Sequence, residues 1–509
     1  MRAAGIIVGN GVGKILGFAR ELVLAYFLGT TGTADAFRVS LTAALVPTHF
    51  FMGDVLDGAF IPLYSKRLLE NRDSAARLAR ATMFYLLLAS LIVVSLTTFA
   101  SRVVVSLFAP GLSRESATLA SKMLTWMGLG IPAYVLSNLG ALRMLSAGRV
   151  AGVALRQPVI NLGFIVAIPI AAWLGKPELT GVGFSVALLV YAIIIGRGLR
   201  KADRHLPPQT PGKVGMMGGE ARELLRASSP LISMMVLGQL LALVDRVAAS
   251  FLGTGAIASL EYARTFVEIP LVIIGAAVAT VSLSRFAHLS PDEVQSTATR
   301  SLLPLITGAL VALTILGTVA PEVVSVVLRR GHFDRAAVTT VSTAIRGLSI
   351  GAAFFMAAYI MHRILTAQMR AVEGIWPLAA SLLTAAVANI ILLPRLGLFG
   401  VALGLSLGQI VYCGLLARRL GLLSAFTNRL PTWTVGALLA IVLRAFVPLP
   451  EVVPFFRGAI SAILSGFSML LVLCLAATTR DDMIVLWRQV TRWASLVATR
   501  MSVPRKAVP

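Results

Sequence analysis

Charged residues are scarce in this sequence. Asp, Glu, Lys and Arg together make up 13% of its 509 residues, whereas hydrophobic residues make up 57%. Soluble domains carry roughly 25% charged and about 45–50% apolar residues. A compact core of this length cannot hide so large an apolar excess. The composition therefore excludes a soluble protein and predicts repeated membrane spans of about 20 residues each.

Residues for metal binding and covalent chemistry are also few. The chain has two cysteines, Cys413 and Cys474, both in apolar segments, and five histidines without paired-ligand spacing. This excludes a disulfide framework and gives no metal site. No Gly-rich phosphate loop and no hydrolase or transferase constellation occurs. The sequence therefore predicts a protein that is not an enzyme, binds no cofactor and does not itself hydrolyse ATP.

Positive charge is the one abundant polar feature. Lys and Arg number 45 against 22 Asp and Glu, which gives a formal net charge of +23. These residues concentrate in short connectors between apolar stretches, a pattern typical of the cytoplasmic loops of membrane proteins. We therefore expect no nucleic-acid partner.

The apolar stretches predict an all-α polytopic membrane protein with about fourteen transmembrane helices. The predicted spans cover residues 5–28, 35–63, 79–105, 117–142, 152–174, 179–197, 223–251, 257–284, 299–327, 338–362, 374–394, 397–417, 431–448 and 456–478. The first span is predicted to be retained, since it runs through charged residues to Gly29 without the short apolar core of a signal peptide.

Basic residues alternate between the predicted connectors. Cytoplasmic connectors are predicted at Lys66-Arg67, at Arg143 to Arg156, at 198–222 and at Arg418-Arg419, while the connector at 29–34 is short and nearly uncharged. Arg329-Arg330 is a local exception. The alternation favours a bacterial inner-membrane protein with both termini in the cytoplasm.

The C-terminal residues, 480–509, alternate apolar and basic side chains. This pattern predicts a basic amphipathic helix that lies on an anionic leaflet, which makes anionic membrane lipids expected partners. A frayed tail is the alternative.

An internal repeat with a spacing of about 220 residues predicts how the spans are grouped. Residues 27–30 (Phe-Leu-Gly-Thr) return at 251–254, residues 142–147 resemble 362–367, and Glu21 matches Asp245. The matches keep their order, which predicts two six-helix lobes in pseudo-twofold repeat. The predicted organisation is an N-lobe at 1–200, a cytoplasmic linker at 201–222, a C-lobe at 223–420, two further helices at 421–479 and the tail.

Charged residues inside spans cost about 2.5–3.5 kcal/mol each, so they persist where they face a cavity, form pairs or reach the headgroups. The candidates for a cationic substrate site are Lys14, Arg20, Arg38 and Arg264. Arginine suits a diphosphate because its planar fork donates two hydrogen bonds at once. The candidates for gating or ion pairs are Glu21, Asp54, Asp57, Asp245, Arg246 and Glu268.

Alternatives remain open for several of these residues. Arg20 with Glu21, and Asp245 with Arg246, are adjacent pairs that can be purely structural ion pairs near helix ends. Asp54 and Asp57 precede Lys66-Arg67 and form either a cytoplasmic gate or a solvated helix end. Coupling to Na⁺, for which Asp245 is a weak candidate, or to the membrane potential is also open.

The stretch from Lys14 to Pro62 resembles the opening of the MurJ/MviN family of lipid II flippases, in the MOP exporter superfamily. The resemblance rests on the segments 14–21, 27–29, 34–37 and 58–62, and on 262–270, which is similar to the family's helix 8 signature. It implies alternating access, in which two lobes rock around a headgroup cavity. It also implies functional positions for Arg20 and Asp35 and a polyprenyl groove beside the last two helices.

Four departures from the family pattern bear on the substrate. Lys14 stands where the family usually has arginine, and Thr48-His49 stands where it has a basic pair. Gly53 stands where the family has a glutamate. The arginine of helix 8 is shifted by one position to Arg264, and Thr265 occupies its usual place. The predicted function is a flippase for undecaprenyl-diphosphate-linked lipid II. The alternatives are a flippase for another polyprenyl-diphosphate-linked saccharide, of an exopolysaccharide or O-antigen, a MATE-like cation or drug exporter, and a non-transporting scaffold.

Overall fold

The computed structural model of this protein describes residues 2–52, 54–146, 151–203, 218–286, 289–368, 370–446, 454–476, 479–488 and 491. Helices make up almost all of these residues, and no strand occurs in them. The α-helices are α1 (Arg2–Leu28), α2 (Gly32–Met52), α3 (Asp54–Glu70), α4 (Arg72–Phe99), α5 (Ser101–Phe108), α6 (Arg114–Gly128), α7 (Ile131–Ser146), α8 (Ala151–Trp173), α9 (Leu179–Asp203), α10 (Gly218–Ser250), α11 (Ala256–Phe286), α12 (Pro291–Thr318), α13 (Ala320–Leu328), α14 (Arg335–Ala367), α15 (Ile375–Arg419), α16 (Leu423–Thr427), α17 (Leu430–Phe446) and α18 (Pro454–Leu475).

The chain packs as two compact units. The first consists of Met1–Tyr262 with Val327–Thr340, and the second of Ala263–Val326 with Val341–Pro509. Helix α10 belongs to the first unit because it packs on α3 and α4. The predicted division into lobes at 1–200 and 223–420 stays a prediction.

Helix α1 packs along α8 in the first unit. Small residues permit the close approach, since a Cβ atom on Gly13 would lie 3.1 Å from the Gln157 side chain, and one on Gly17 would lie 3.4 Å from that of Asn161. Phe164 of α8 stacks on Phe184 of α9, with ring centroids 5.6 Å apart. The polar positions of α8 are thus held against the charged turn of α1.

Several predicted spans are divided between two helices. The spans at 35–63, 79–105 and 117–142 correspond to α2 with α3, α4 with α5, and α6 with α7. Local side-chain chemistry determines where some of the helices begin. The Asn71 side chain accepts the N–H groups of Asp73 and Ser74 where α4 begins. Pro132 lies in the first turn of α7, where a missing N–H group breaks no helical hydrogen bond.

Helix α15 bends at Gly397, between the predicted spans 374–394 and 397–417. Gly397 has φ 54° and ψ −133°, a conformation that glycine adopts without steric strain. The two arms then pack closely, since a Cβ atom on Gly400 would lie 2.5 Å from the carbonyl oxygen of Leu392. Ser406 in the second arm donates to the carbonyl oxygen of Gly347 in α14 at 2.7 Å.

Helices α12, α17 and α18 pack together in the second unit. Trp433 of α17 is buried there and donates its indole N–H to the hydroxyl oxygen of Thr307 at 3.1 Å. The rings of Phe354 and Phe426 meet Trp433 edge to face. This aromatic cluster joins α17 to the rest of the unit.

Eight helical stretches in the described part of the chain have the length and apolar composition of membrane spans. They are Asp73–Phe99, Gly152–Trp173, Leu179–Arg200, Glu293–Thr318, Arg335–Ala367, Ala371–Arg419, Leu423–Phe446 and Pro454–Leu475. Helix α1 is outside this set because Lys14, Arg20 and Glu21 interrupt its apolar sequence. The predicted all-α polytopic architecture is confirmed, whereas the number of fourteen spans stays a prediction.

The C-terminal tail begins as the predicted helix, since residues 479–488 are helical. Asp482 is buried and pairs with Arg429, whereas Trp487 is 70% exposed. Residues 492–509, which complete the predicted amphipathic tail, lie outside the described residues.

We expect Gly400→Ala to lower the stability of the protein by about 1–3 kcal/mol, because the new methyl group would push apart the two arms of α15. The matched control is Gly414→Ala, since Gly414 lies in the same helix and a Cβ atom there would meet no atom within 4 Å. Thermal unfolding of the purified protein in detergent measures both. Equal melting temperatures for the two variants would contradict this packing.

Candidate functional site

Two arginines share one buried glutamate where α1 and α2 meet. Arg20 donates to Glu21 at 2.6 Å, and Arg38 donates through both terminal nitrogens to the two carboxylate oxygens of Glu21. The side chains of Glu21 and Arg38 are only 5% and 7% exposed, while that of Arg20 is 21% exposed. Arg20 is therefore the member of the triad that reaches accessible space.

Aromatic rings cover both guanidinium groups. Arg38 lies over the ring of Tyr262 at 5.0 Å from its centroid, and Arg20 lies over Phe164 at 5.9 Å. Such contacts stabilise a cation in a poorly hydrated place. One carboxylate cannot neutralise two guanidinium groups, so Glu21 compensates the charge of Arg20 only in part.

Two asparagines hold arginines in place without neutralising them. Arg20 donates to the side-chain oxygen of Asn161 at 3.2 Å, and Arg156 donates to that of Asn138 at 3.0 Å. The Asn161 amide in turn donates to the carbonyl oxygen of Gly13 at 3.0 Å, which fixes its orientation. Both arginines are thus positioned by neutral groups.

A cavity of about 110 Å³ in the first unit brings these arginines together. Its described lining residues are Arg20, Leu41, Leu45, His49, Tyr134, Arg156, Gln157, Ile160 and Phe164, and none of these nine carries a carboxylate. The Nε atom of Arg20 is buried and has no hydrogen-bond partner among the described residues. At about 30 Å³ per water molecule, the cavity has room for one phosphate-sized anion.

Lys14 and Asp35 lie outside this cavity. Lys14 is exposed on α1, seven residues and therefore about 10 Å along the axis before Glu21, on the same face of the helix. The Asp35 carboxylate accepts the backbone N–H groups of Gly255 and Ala258 at 2.5 and 2.8 Å. Asp35 therefore caps the beginning of α11. The predicted substrate contacts of both residues stay predictions.

The predicted pair of Asp245 and Arg246 has a different geometry. Arg246 forms its ion pair with Glu261 of α11 at 2.8 Å, and Asp245 accepts the backbone N–H of Arg246 at 3.0 Å. Glu21 of α1 pairs with Arg38 of α2, so the two helix pairs carry the same kind of bridge with the signs exchanged.

The remaining predicted residues are not placed in this cavity. Arg264 is half-buried and Glu268 exposed, and both belong to the second unit. The side chains of Asp54 and Asp57 lie outside the described residues. The roles predicted for these four residues stay predictions.

Arg156, Asn138 and Tyr134 are site residues that the sequence analysis missed. Arg156 was assigned to a cytoplasmic connector, but it lies in the second turn of α8 and faces the cavity. The signal that was present is polarity inside predicted spans, since Asn138 and Asn161 both interrupt apolar sequence.

A family model described as lipid II flippase MurJ matches residues 24–453, which is most of the chain. The chain belongs to the MurJ lipid II flippase family. The predicted membership in the MurJ family is thereby confirmed, and the matched region contains every described residue that lines the cavity except Arg20.

Curated relatives from several bacteria support this membership. The chain is 26% identical over 363 residues to the probable lipid II flippase MurJ of Rhizobium meliloti, covering 68% of this chain and 67% of the relative. It is 24% identical to the probable lipid II flippase MurJ of Thermotoga maritima, with coverages of 79% and 81%. It is 25% identical to the lipid II flippase MurJ of Burkholderia cenocepacia, with 78% of each chain covered.

Solved structures agree on the fold. A lipid II flippase MurJ in an inward closed conformation superposes with a TM-score of 0.79 at 18% identity, covering 92% of this chain and 98% of that one. An inward-facing MATE family multidrug transporter of the MOP superfamily gives a TM-score of 0.63 at 14% identity, with coverages of 84% and 99%. The MurJ and MATE structures thus share this chain's fold.

Glu21→Gln is expected to destabilise the protein by about 3–5 kcal/mol, because it leaves Arg20 and Arg38 buried without their counter-ion. Thermal unfolding in detergent measures the change.

Glu70→Gln is the matched control. Glu70 pairs with Lys66 at 3.9 Å on an exposed surface, so its loss should cost less than about 1 kcal/mol. Equal melting temperatures for the two variants would show that the ion pairs of Glu21 do not stabilise this unit more than an exposed ion pair does.

Proposed function

We propose that this protein flips lipid II, the undecaprenyl-diphosphate-linked peptidoglycan precursor, across the bacterial inner membrane. Its family membership supports the proposal, and so does the cavity lined by Arg20 and Arg156, whose described lining residues include no carboxylate. The cavity is the observation that carries it, because it offers two guanidinium groups to one anion at a place where water is scarce.

The diphosphate is the part of lipid II that this cavity fits. Ligand pockets for whole small molecules occupy about 300–1,000 Å³, so a cavity of about 110 Å³ anchors a phosphate group and leaves the sugars outside. The Arg20 side chain is 21% exposed and lines the cavity, so we propose that its guanidinium group donates to a phosphate oxygen. A charge-assisted bond of this kind is worth about 1.5–3 kcal/mol.

Each supporting residue has a distinct part in this proposal. Asn161 and Asn138 orient Arg20 and Arg156 while leaving their charge for the substrate. Glu21 and Arg38 fix the turn of α1 that carries Arg20. Lys14, on the same face of α1 as Glu21, is proposed to attract the anionic headgroup before it reaches the arginines.

Transport follows the alternating access that the family resemblance implies. The two lobes rock so that the headgroup site opens first to the cytoplasm and then outside, while the polyprenyl tail stays in lipid beside the last two helices. We further propose that the chain catalyses no covalent reaction and needs no cofactor. Both termini are proposed to be cytoplasmic, and Na⁺ or the membrane potential is the proposed driving force.

A flippase for another polyprenyl-diphosphate-linked saccharide is the second candidate function. It shares the anion site and is favoured by His49, which stands where the family has a basic residue and which lines the cavity. A MATE-like cation exporter fits less well because a cation needs carboxylates, whereas the described lining of this cavity offers two arginines and no carboxylate.

Arg20→Gln and Arg156→Gln are each expected to abolish growth rescue in a bacterium depleted of its own lipid II flippase. Each substitution removes a charge-assisted bond to the diphosphate, so we expect transport to fall by about tenfold to a hundredfold. Protein levels in the membrane and melting temperatures are measured in parallel to separate transport from folding.

Arg102→Gln is the control for these variants, because Arg102 is an exposed arginine of α5 away from the cavity. Full rescue by both cavity variants would remove the proposed diphosphate site. Failure of the unmodified protein to rescue, with normal membrane levels, would favour another lipid-linked glycan as the substrate.

A further inference from the structure

A second arginine-rich cluster lies in the second unit. Glu322, in the first turn of α13, is paired with Arg444 at 3.0 Å and with Arg457 at 3.5 Å. The Glu322 side chain is 8% exposed, whereas those of Arg444 and Arg457 are 22% and 41% exposed. The carboxylate is thus buried beneath two guanidinium groups that reach the surface.

The helices that carry these arginines place the cluster at headgroup depth. Arg444 ends α17 and Arg457 begins α18, while the ion pair of Arg429 with Asp482 lies at the opposite end of both helices. Arg429 and Arg444 are about 22 Å apart along a helix, which approaches the roughly 30 Å of the hydrocarbon core. Charged groups at both ends of this helical hairpin therefore lie near the two interfaces.

The surface between the two clusters is apolar and exposed, as a lipid-facing surface is. The exposed side chains include Leu438, Ile441, Val442, Ile463, Phe467 and Leu471. Next to the arginines, Phe446, Phe455 and Phe456 are 80%, 62% and 60% exposed. A lipid bound at the arginine cluster would therefore find an apolar surface for its acyl chains directly beside its headgroup.

Charge favours an anion at this cluster. Among the described residues, these two guanidinium groups share one carboxylate, so one positive charge remains there. Arg457 lies in the first turn of α18, where the helix dipole and the free N–H groups also favour negative charge. The Nε atom of Arg457, which lies 3.5 Å from Glu322, is buried and has no hydrogen-bond partner among the described residues. The remaining charge matches a singly charged phosphodiester.

We propose that Arg444 and Arg457 bind the phosphodiester headgroup of an anionic phospholipid such as phosphatidylglycerol. Glu322 holds the two guanidinium groups side by side, and the neighbouring phenylalanines contact the acyl chains. The site adds a bound membrane phospholipid to the two C-terminal helices, beside which the polyprenyl tail of lipid II is also proposed to lie.

Native mass spectrometry of the full-length protein, titrated with phosphatidylglycerol in detergent, tests this site. Arg457→Gln is expected to weaken the tightest lipid binding by about tenfold, since it removes charge-assisted bonds to the phosphodiester. Arg395→Gln is the matched control, because Arg395 is an exposed arginine of the same unit outside the cluster and its loss changes the net charge equally. Equal weakening in both variants would overturn the proposal.

Glu322→Gln separates lipid binding from a purely structural role. It removes the carboxylate but keeps both arginines, so we expect phosphatidylglycerol binding to persist even if the melting temperature falls. Loss of binding in this variant would overturn the site.

Inorganic phosphate distinguishes a lipid from a free anion. Millimolar phosphate should leave the bound lipid in place, and displacement of the lipid would assign the cluster to a free anion instead. Since none of these measurements involves transport, their failure would leave the proposed flippase function untouched.

Discussion

Glu21 is shared by two arginines, and the site depends on this shortage of negative charge. Arg38 takes both oxygens of the carboxylate and is buried under Tyr262, so it is a structural partner. Arg20 has a single hydrogen bond to Glu21, donates a second one to Asn161 and lines the cavity. A second carboxylate here would neutralise Arg20 and leave no attraction for an anionic headgroup.

The same constraint explains the bridge between α10 and α11. Glu21 on α1 faces Arg38 on α2, whereas Arg246 on α10 faces Glu261 on α11. Each helix pair thus keeps a bridge between neighbouring helices, although the acidic and basic positions are exchanged. Charge pairing limits the cost of burying ions in a membrane protein, and either polarity satisfies that requirement. The internal repeat therefore keeps an ion pair in each helix pair, although Arg246 lies one position after Asp245, the residue that matches Glu21.

The all-helical architecture could be predicted from the sequence because insertion into a membrane allows few kinds of secondary structure. Long apolar stretches must be helical in lipid, and charged residues inside them stand out. Arg20, Glu21, Arg38 and Arg246 were found for this reason, and the structure places all of them in buried or half-buried ion pairs.

Other features depend on tertiary contacts and were not visible in the sequence. Arg156 looks like one of several connector arginines until α8 is known to begin at Ala151 and to pack against α1. The family resemblance implies a functional position for Asp35, and the structure adds that its carboxylate caps α11 through Gly255 and Ala258, more than two hundred residues away. Neither local propensity nor charge pattern specifies such long-range partners.

The affinity of the purified protein for a short-chain polyprenyl diphosphate shows whether Arg20 and Arg156 bind the diphosphate group. We predict that Arg20→Gln and Arg156→Gln each weaken this affinity at least about tenfold. We also predict that the double variant loses little more than either single one, because both arginines hold the same group. Unchanged affinity in the single variants, or equal binding of the neutral polyprenol, would contradict this role of the two arginines.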